Sequence, residues 1–342
     1  MAEGRRGGTP HRGPTQAEVA AHAQVSAQTV SRVVNDQANV DASTRERVLN
    51  SMRELGYRRN RSAVALRTGE HGTIGVLLFA LSTYGNVRTW ESLTLAADHR
   101  GYSVAVITVE KATPETLLDA FTRLTEQSVD GIVLLEERFF AEVRLPVPAG
   151  LPVVVIDAGV RGEFPVVDTD QAQGAELATE HLLGLGHPTV WHLAGPEGSF
   201  LSAKRADAWR QTLERAGREV PPVISGDWTS GSGYEAGLLL RERRDVSAVF
   251  AANDQMALGL LRAFHERGIA VPEQVSVVGF DDTPESSSYW PPLTTIHQDF
   301  ASVGQAGVDV LLAALRGEVV PPATIIPTRL VVRASTAPYH PR

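Results

Sequence analysis

Over the first sixty positions, apolar residues recur every three or four places. Beyond residue 72 they come in short unbroken runs separated by amphipathic stretches. The first pattern belongs to helices packed on one side, the second to buried parallel strands alternating with helices. Thr15-Gln16-Ala17-Glu18 has the spacing of a capping box, in which side chains satisfy the free N–H groups of a helix start. It predicts a first helix over TQAEVAAHA, with Val19 and Ala20 inward, breaking at Gln24-Val25. Ser26 caps a second, AQTVSRVVN, whose Val30, Val33 and Val34 share one apolar face. A third runs from about Thr44 to Leu55 with Val48, Met52 and Leu55 inward, and Gly56 stops it.

From Thr73 the runs TIGVLLF, YSVAVI and DGIVLL alternate with RTWESLTLAADHRG and PETLLDAFTRLTEQ. A second round follows with PVVVID, ELATEHLLGLG, TVWHLAG, SAVFAAND and QVSVVGFDD. This is β-α-β alternation, and its length suits two Rossmann-like parallel-sheet subdomains. Between head and body lies NRSAVALRTG, Ala-rich and bracketed by arginines. Ala63 to Leu66 favour a helix, yet so short a segment does not hold one alone in water. It reads either as a plain linker or as a segment that folds on a partner.

The totals sharpen this division. The chain has 342 residues and a net charge of −8, but residues 1–69 carry +5 and the remainder −13. A small basic head on a large acidic body points to nucleic acid at the head only. The Gly-, Pro- and Arg-rich residues 1–14 read as a disordered basic arm without a secretory core. No cysteine is present, which removes disulfides and thiolate metal sites, and no apolar run approaches the roughly 20 residues of a membrane helix. The expected localisation is cytoplasmic and nucleoid-associated.

Two short helices joined by a tight turn and braced by a third fit a helix-turn-helix unit; the plainer reading is a three-helix bundle with a solvated polar face. In the first reading the second helix enters a major groove with Ala27, Gln28, Thr29, Ser31 and Arg32 outward. Gln28 and Arg32, four apart, share a face and can pair with adenine and guanine. Thr15, Ser26, Thr29, Ser31 and Asn35 suit phosphate oxygens.

In the body, open parallel sheets bind ligands beyond the carboxyl ends of their strands. Asp157, Asn253, Asp254, Asp281 and Asp282 stand there, with the segment Leu81 to Val87 after the first strand. Such carboxylates and amides suit a neutral polyhydroxyl ligand, Arg205 adds a fork of donors, and Trp228 and Phe300 offer flat faces to a sugar ring. Asp254 and Asp282 read better as helix caps, and Trp228 and Arg205 also admit packing and surface roles. His181, His187 and His192 lack metal spacing. No carboxylate pair shows contrasting acid and base environments, so no enzyme, metal or cofactor is expected.

TQAEVAAHAQVSAQTVSRVVND followed by TRERVLNSMRELGYRRN resembles the lactose/galactose repressor family of bacterial transcription regulators, and the likeness continues through the rest of the chain. Gln24 departs from its usual Gly or Asn, and Arg59 from a common Pro. The resemblance implies that the connector forms a hinge helix. Paired across a dimer, two such helices wedge Leu66 into a minor-groove step while Arg61 and Arg67 hold phosphates. LAGPEGSFLSAKRADAW, GDWTSGSGY, VFAANDQMALGLLRA and SVVGFDDTPESSSYWPPLTTIHQDF place the body in the lactose branch. That implies an effector pocket of Asp157, Arg205, Trp228, Asn253, Asp281 and Phe300, with Gln255 beside it and Thr83 in the first-strand loop. Thr83-Tyr84-Gly85-Asn86 replaces apolar residues of the branch. The chain ends in APYHPR without leucine heptads, so a dimer and not a tetramer is expected.

The implied organisation is a helix-turn-helix domain at 15–59, a hinge at 60–71, one subdomain of 72–168 with 297–326, and another of 169–296 with 327–337. The implied function is repression at a pseudo-palindromic double-stranded operator, relieved by a galactoside or related glycoside. The rivals are a sugar-binding transport protein and a corepressor-dependent regulator.

Overall fold

The capping box at Thr15 forms as its spacing predicts: Thr15 Oγ1 accepts from Glu18 N–H and the Glu18 carboxylate accepts from Thr15 N–H. The computed structural model describes residues 13–34, 37–57, 70–79, 83–110, 113–135, 147–157, 164–240, 242–243 and 245–341. The chain divides into two units, Met1–His71 and Gly72–Arg342. The hinge, with Arg61, Leu66 and Arg67, lies outside the described residues, as do Asn35 and most of the basic arm.

In the first unit, α1 (Gln16–Ala23), α2 (Ala27–Val34) and α3 (Ala42–Leu55) enclose a core of Val19, Ala23, Val30, Val33 and Val48. Gln24 turns the chain from α1 in the left-handed region, φ 54°, where an L-residue is strained. α3 starts two residues before the expected Thr44, because Asp41 caps it by accepting from Thr44 N–H at 2.8 Å. Gly56 closes it at φ 66°.

The second unit contains two six-stranded sheets. The first has the order β11-β5-β4-β3-β1-β2 and is parallel throughout. Its strands are β1 (Thr73–Leu78), β2 (Ser103–Thr108), β3 (Gly131–Leu135), β4 (Val153–Ile156), β5 (Val166–Thr169) and β11 (Ala323–Ile326). α4 (Tyr84–His99) and α5 (Pro114–Glu126) are its early crossover helices. The second sheet has the order β12-β10-β9-β8-β6-β7, parallel except where β12 pairs with β10. It comprises β6 (Trp191–Ala194), β7 (Ile224–Ser225), β8 (Ala248–Ala251), β9 (Ser276–Asp281), β10 (Thr294–His297) and β12 (Arg329–Val331). Its helices include α6 (Gln171–Gly184), α7 (Phe200–Arg215), α8 (Ser230–Leu240) and α9 (Asp254–His265); α10 (Phe300–Leu315) returns to pack against the first sheet. Buried strands read as continuous apolar runs because both faces are covered.

The chain passes between sheets three times, after Thr169, His297 and Ile326. Thr169 belongs to the first sheet and His297 to the second, each one residue across from the expected divisions at 168 and 296, because ladder pairing continues through them.

Candidate functional site

On the head, Ala27 and Gln28 are exposed, and Thr15, Thr29, Ser31 and Arg32 are half-buried. The hydroxyls at the helix starts already have local work. Ser26 Oγ accepts from Thr29 N–H at 3.0 Å and meets Thr29 Oγ1 at 2.9 Å. Gln28 and Arg32 sit on the side of α2 away from buried Val30 and Val33.

In the body, strand ends from both sheets converge on one cleft. Thr83, Asp157, Arg205, Trp228, Asn253, Asp281 and Phe300 all line it, together with Tyr84, Gln298 and Leu201. Gln255 does not line it, although its buried Oε1 has no partner among the described residues. The cleft holds about 30 Å³, far below the roughly 300–1,000 Å³ of typical ligand pockets.

The cleft is also where backbone strain collects. Asp157 (φ 58°), Trp228 (φ 72°), Asp281 (φ 107°) and neighbouring Asp282 (φ 55°) all occupy the left-handed region that favours glycine. Such strain persists where the surroundings over-determine the backbone, and it is typical of binding sites. Gly195, at the end of β6, supplies part of that surround. A Cβ there would run into the Trp228 ring, so this glycine is the seat of the indole.

Arg205 is 3% exposed and organises the polar wall. Its Nε donates to Gln171 Oε1 at 2.9 Å, another nitrogen donates to Ala252 O, and a third lies 3.9 Å from Asp281. The guanidinium packs 3.8 Å over the Phe280 ring. Gln171 donates in turn to Gln298 at 3.0 Å, and Gln298 donates to Asp281 at 2.7 Å. The relay ties Gln171, just past the first crossover, to Gln298 in the second. Sequence reasoning missed both glutamines, since amides next to crossovers carry no motif.

Burial pushes Asp281 up to about 7, even though Arg205 pulls it down. Burial also raises Asp157 and Asp168. The three buried acids shift in the same direction. Tyr84 stands edge-on to Phe300 at 5.7 Å, an aromatic wall at a position where this chain departs from its family's apolar residues.

Two expectations are corrected. Asp254 does not cap α9: Asn253 does, accepting from Met256 N–H at 2.8 Å while donating to Trp228 O. Asp254 is fully buried and accepts from Thr283 N–H, Ser286 and Thr295, because an acid beside a close-packed Gly279 meets these donors before solvent. Asp282 caps no helix either; it pairs with Arg333 at 2.6 Å and His297 at 2.9 Å. The histidines pack: His187 meets Ser247 and Ser276 at 3.0 and 3.1 Å, and His192 donates to Phe250 O at 2.9 Å. Among the described residues no acid or histidine cluster suits a metal ion, and no helix is long and apolar enough to cross a membrane.

Comparison with known proteins covers both units. Residues 15–60 match the family described as bacterial regulatory proteins, lacI family, and residues 179–336 match a periplasmic binding protein-like domain. The chain is 37% identical over 325 residues to the lactose operon repressor of Escherichia coli K12, covering 93% of this chain and 89% of that protein. The Lac repressor dimer bound to operator and the anti-inducer ONPF superposes with a TM-score of 0.84 at 36% identity, covering 95% of this chain and all of that one. A complex of the transcriptional regulator CelR with cellobiose superposes with a TM-score of 0.69 at 32% identity, covering 94% and 99%.

Proposed function

This chain belongs to the lacI family of bacterial regulatory proteins, and from that membership we propose that it is a sequence-specific transcriptional repressor released from its operator by a sugar. It acts as a regulator and not as an enzyme. Two heads of a homodimer read the half-sites of a pseudo-palindromic operator. α2 enters the major groove, with Gln28 and Arg32 at base edges and Thr15, Ser26, Thr29, Ser31 and Asn35 at phosphates. In this reading the connector forms the hinge helix, with Leu66 wedged into the minor groove and Arg61 on a phosphate.

The observation that carries the effector half is the convergence of Arg205, Asn253, Asp281, Trp228 and Phe300 on one cleft from both sheets. A ligand gripping both walls changes the angle between them through the three crossing segments. Charged and amide groups opposite aromatic faces match the two sides of a pyranose, polar hydroxyls and apolar C–H. Relatives with the same fold hold ONPF and cellobiose. The effector we propose is a galactoside or related glycoside; Gly85 and Asn86, in the first turn of α4, line the cleft and suit a larger or more polar glycoside.

The test is fluorescence anisotropy of a labelled promoter fragment from beside the gene, titrated with protein and then with lactose, methyl β-D-galactopyranoside, cellobiose and glucose. Binding of the fragment, followed by release with one glycoside, is expected. Tighter binding with a sugar would reverse the sign of regulation, and indifference to all of them would remove sugars as effectors.

A further inference from the structure

One buried acid lies directly behind the cleft wall and outside the pocket carried over above. Asp168 stands on β5 in the ladder position next to Asp157, which follows β4. They are 8% and 4% exposed. Burial and the neighbouring Asp157 carboxylate hold Asp168 well above the usual carboxylate range.

Each acid also keeps a buried Oδ1 with no partner among the described residues. Buried acceptors without donors are costly and rare in native proteins, and two on neighbouring ladder positions mark a place where a donor is missing. Asp157 is itself part of the cleft wall. The charge of the pair is already answered: Lys204 on α7 acts on Asp168, and Arg205 acts on Asp157. A ligand ammonium would therefore bring surplus positive charge. A neutral ligand with adjacent hydroxyl donors satisfies the lone oxygens and leaves the charge balance unchanged.

We propose that Asp168 is an effector-specificity residue, which with Asp157 accepts hydrogen bonds from neighbouring hydroxyls of a neutral sugar. This rests on the sugar reading above and narrows it. The ligand presents at least two adjacent hydroxyls to the first-sheet wall, and Asp168 discriminates against sugars that lack one of them. A site built to bond a hydroxyl rejects the analogue without it far more strongly than an apolar site distinguishes shapes.

The experiment is calorimetric titration of the full-length protein without DNA. The probes are methyl β-D-galactopyranoside and methyl β-cellobioside, followed by the singly deoxygenated analogues of whichever binds. Asp168→Val should bind the parent glycoside roughly 10- to 100-fold more weakly. One deoxy analogue should bind wild type and variant alike, because the bond it lacks is the one the variant lost. A uniform loss across every analogue would show a merely structural role and overturn the proposal, as would undiminished binding of the parent. Should Asp168→Val not fold, Asp168→Asn preserves the shape and is held to the same criterion. If neither glycoside binds wild type, the sugar reading fails and this inference with it; if wild type binds and the variant is indifferent, Asp168 alone is wrong.

Discussion

Asp281 combines a strained backbone, almost complete burial and two demands on one carboxyl: it faces Arg205 at 3.9 Å and accepts from Gln298. Burial raises it from 3.8 to about 7, so near neutrality the site is divided between acid and carboxylate. Sugar hydroxyls donate best to the ionised form, so binding selects it and lowers its pKa. The sign follows: below pH 7 binding must expel a proton, and above pH 7 it need not. Affinity should therefore rise up to about tenfold per unit as pH climbs toward 7, then level off. Calorimetry at pH 6 in two buffers of different ionisation enthalpy should reveal close to one proton released, and at pH 8 almost none. Asp281→Asn should abolish the difference; a pH-independent wild type would mean that Asp281 is ionised throughout or does not touch the sugar.

Among the elements, α8 and α9 make the closest contact. A Cβ on Gly259 would collide with backbone atoms of Ser230, Tyr234 and Gly233, and one on Gly233 would collide with the backbone of Met256. Backbone cannot rotate away as a side chain does, so Gly259→Ala must separate the helices. We expect a loss of about 1–3 kcal/mol, read as a lower unfolding midpoint of the body in urea. An unchanged midpoint would show that the pair has slack. This packing was not legible in the sequence, where GSG reads as turn punctuation and its meaning depends on a helix some twenty-five residues away. The capping box at Thr15 and the strand runs were legible, because local spacing alone determines them. The cleft was legible in part: Asp157, Arg205, Asn253 and Asp281 stand at strand ends or on a recognisable motif. Gln171, Gln298 and Asp168 do not, since an amide or acid beside a crossover acquires a role only when two distant crossings are brought together. The misjudged caps at Asp254 and Asp282 share one cause. An acid after a strand looks alike in sequence whether a helix N–H or a buried hydroxyl awaits it.

For the molecule as a whole, the proposed function is a thermodynamic coupling between operator binding and sugar binding. A thousandfold weakening of operator binding requires about 4 kcal/mol of differential sugar affinity, and operator must weaken sugar binding by the same factor. The closed cleft bears on how that energy is delivered. At about 30 Å³ it is smaller than a pyranose, and Arg205, Gln171, Gln298 and Asp281 tie two of the crossing segments to the second-sheet wall. If this closed form dominates in solution, sugar enters only after the walls part, and apparent affinity is reduced by the fraction open. Stopped-flow fluorescence of Trp228, with the other four tryptophans replaced by phenylalanine, should then show an observed rate that stops rising with sugar concentration and settles at the opening rate. Gln298→Ala cuts the relay at its midpoint without touching Arg205, so the plateau should rise and affinity for sugar increase. A rate that climbs linearly to the highest sugar concentration, in both proteins, would mean that the cleft stands open in solution and that the glutamine relay does not gate it.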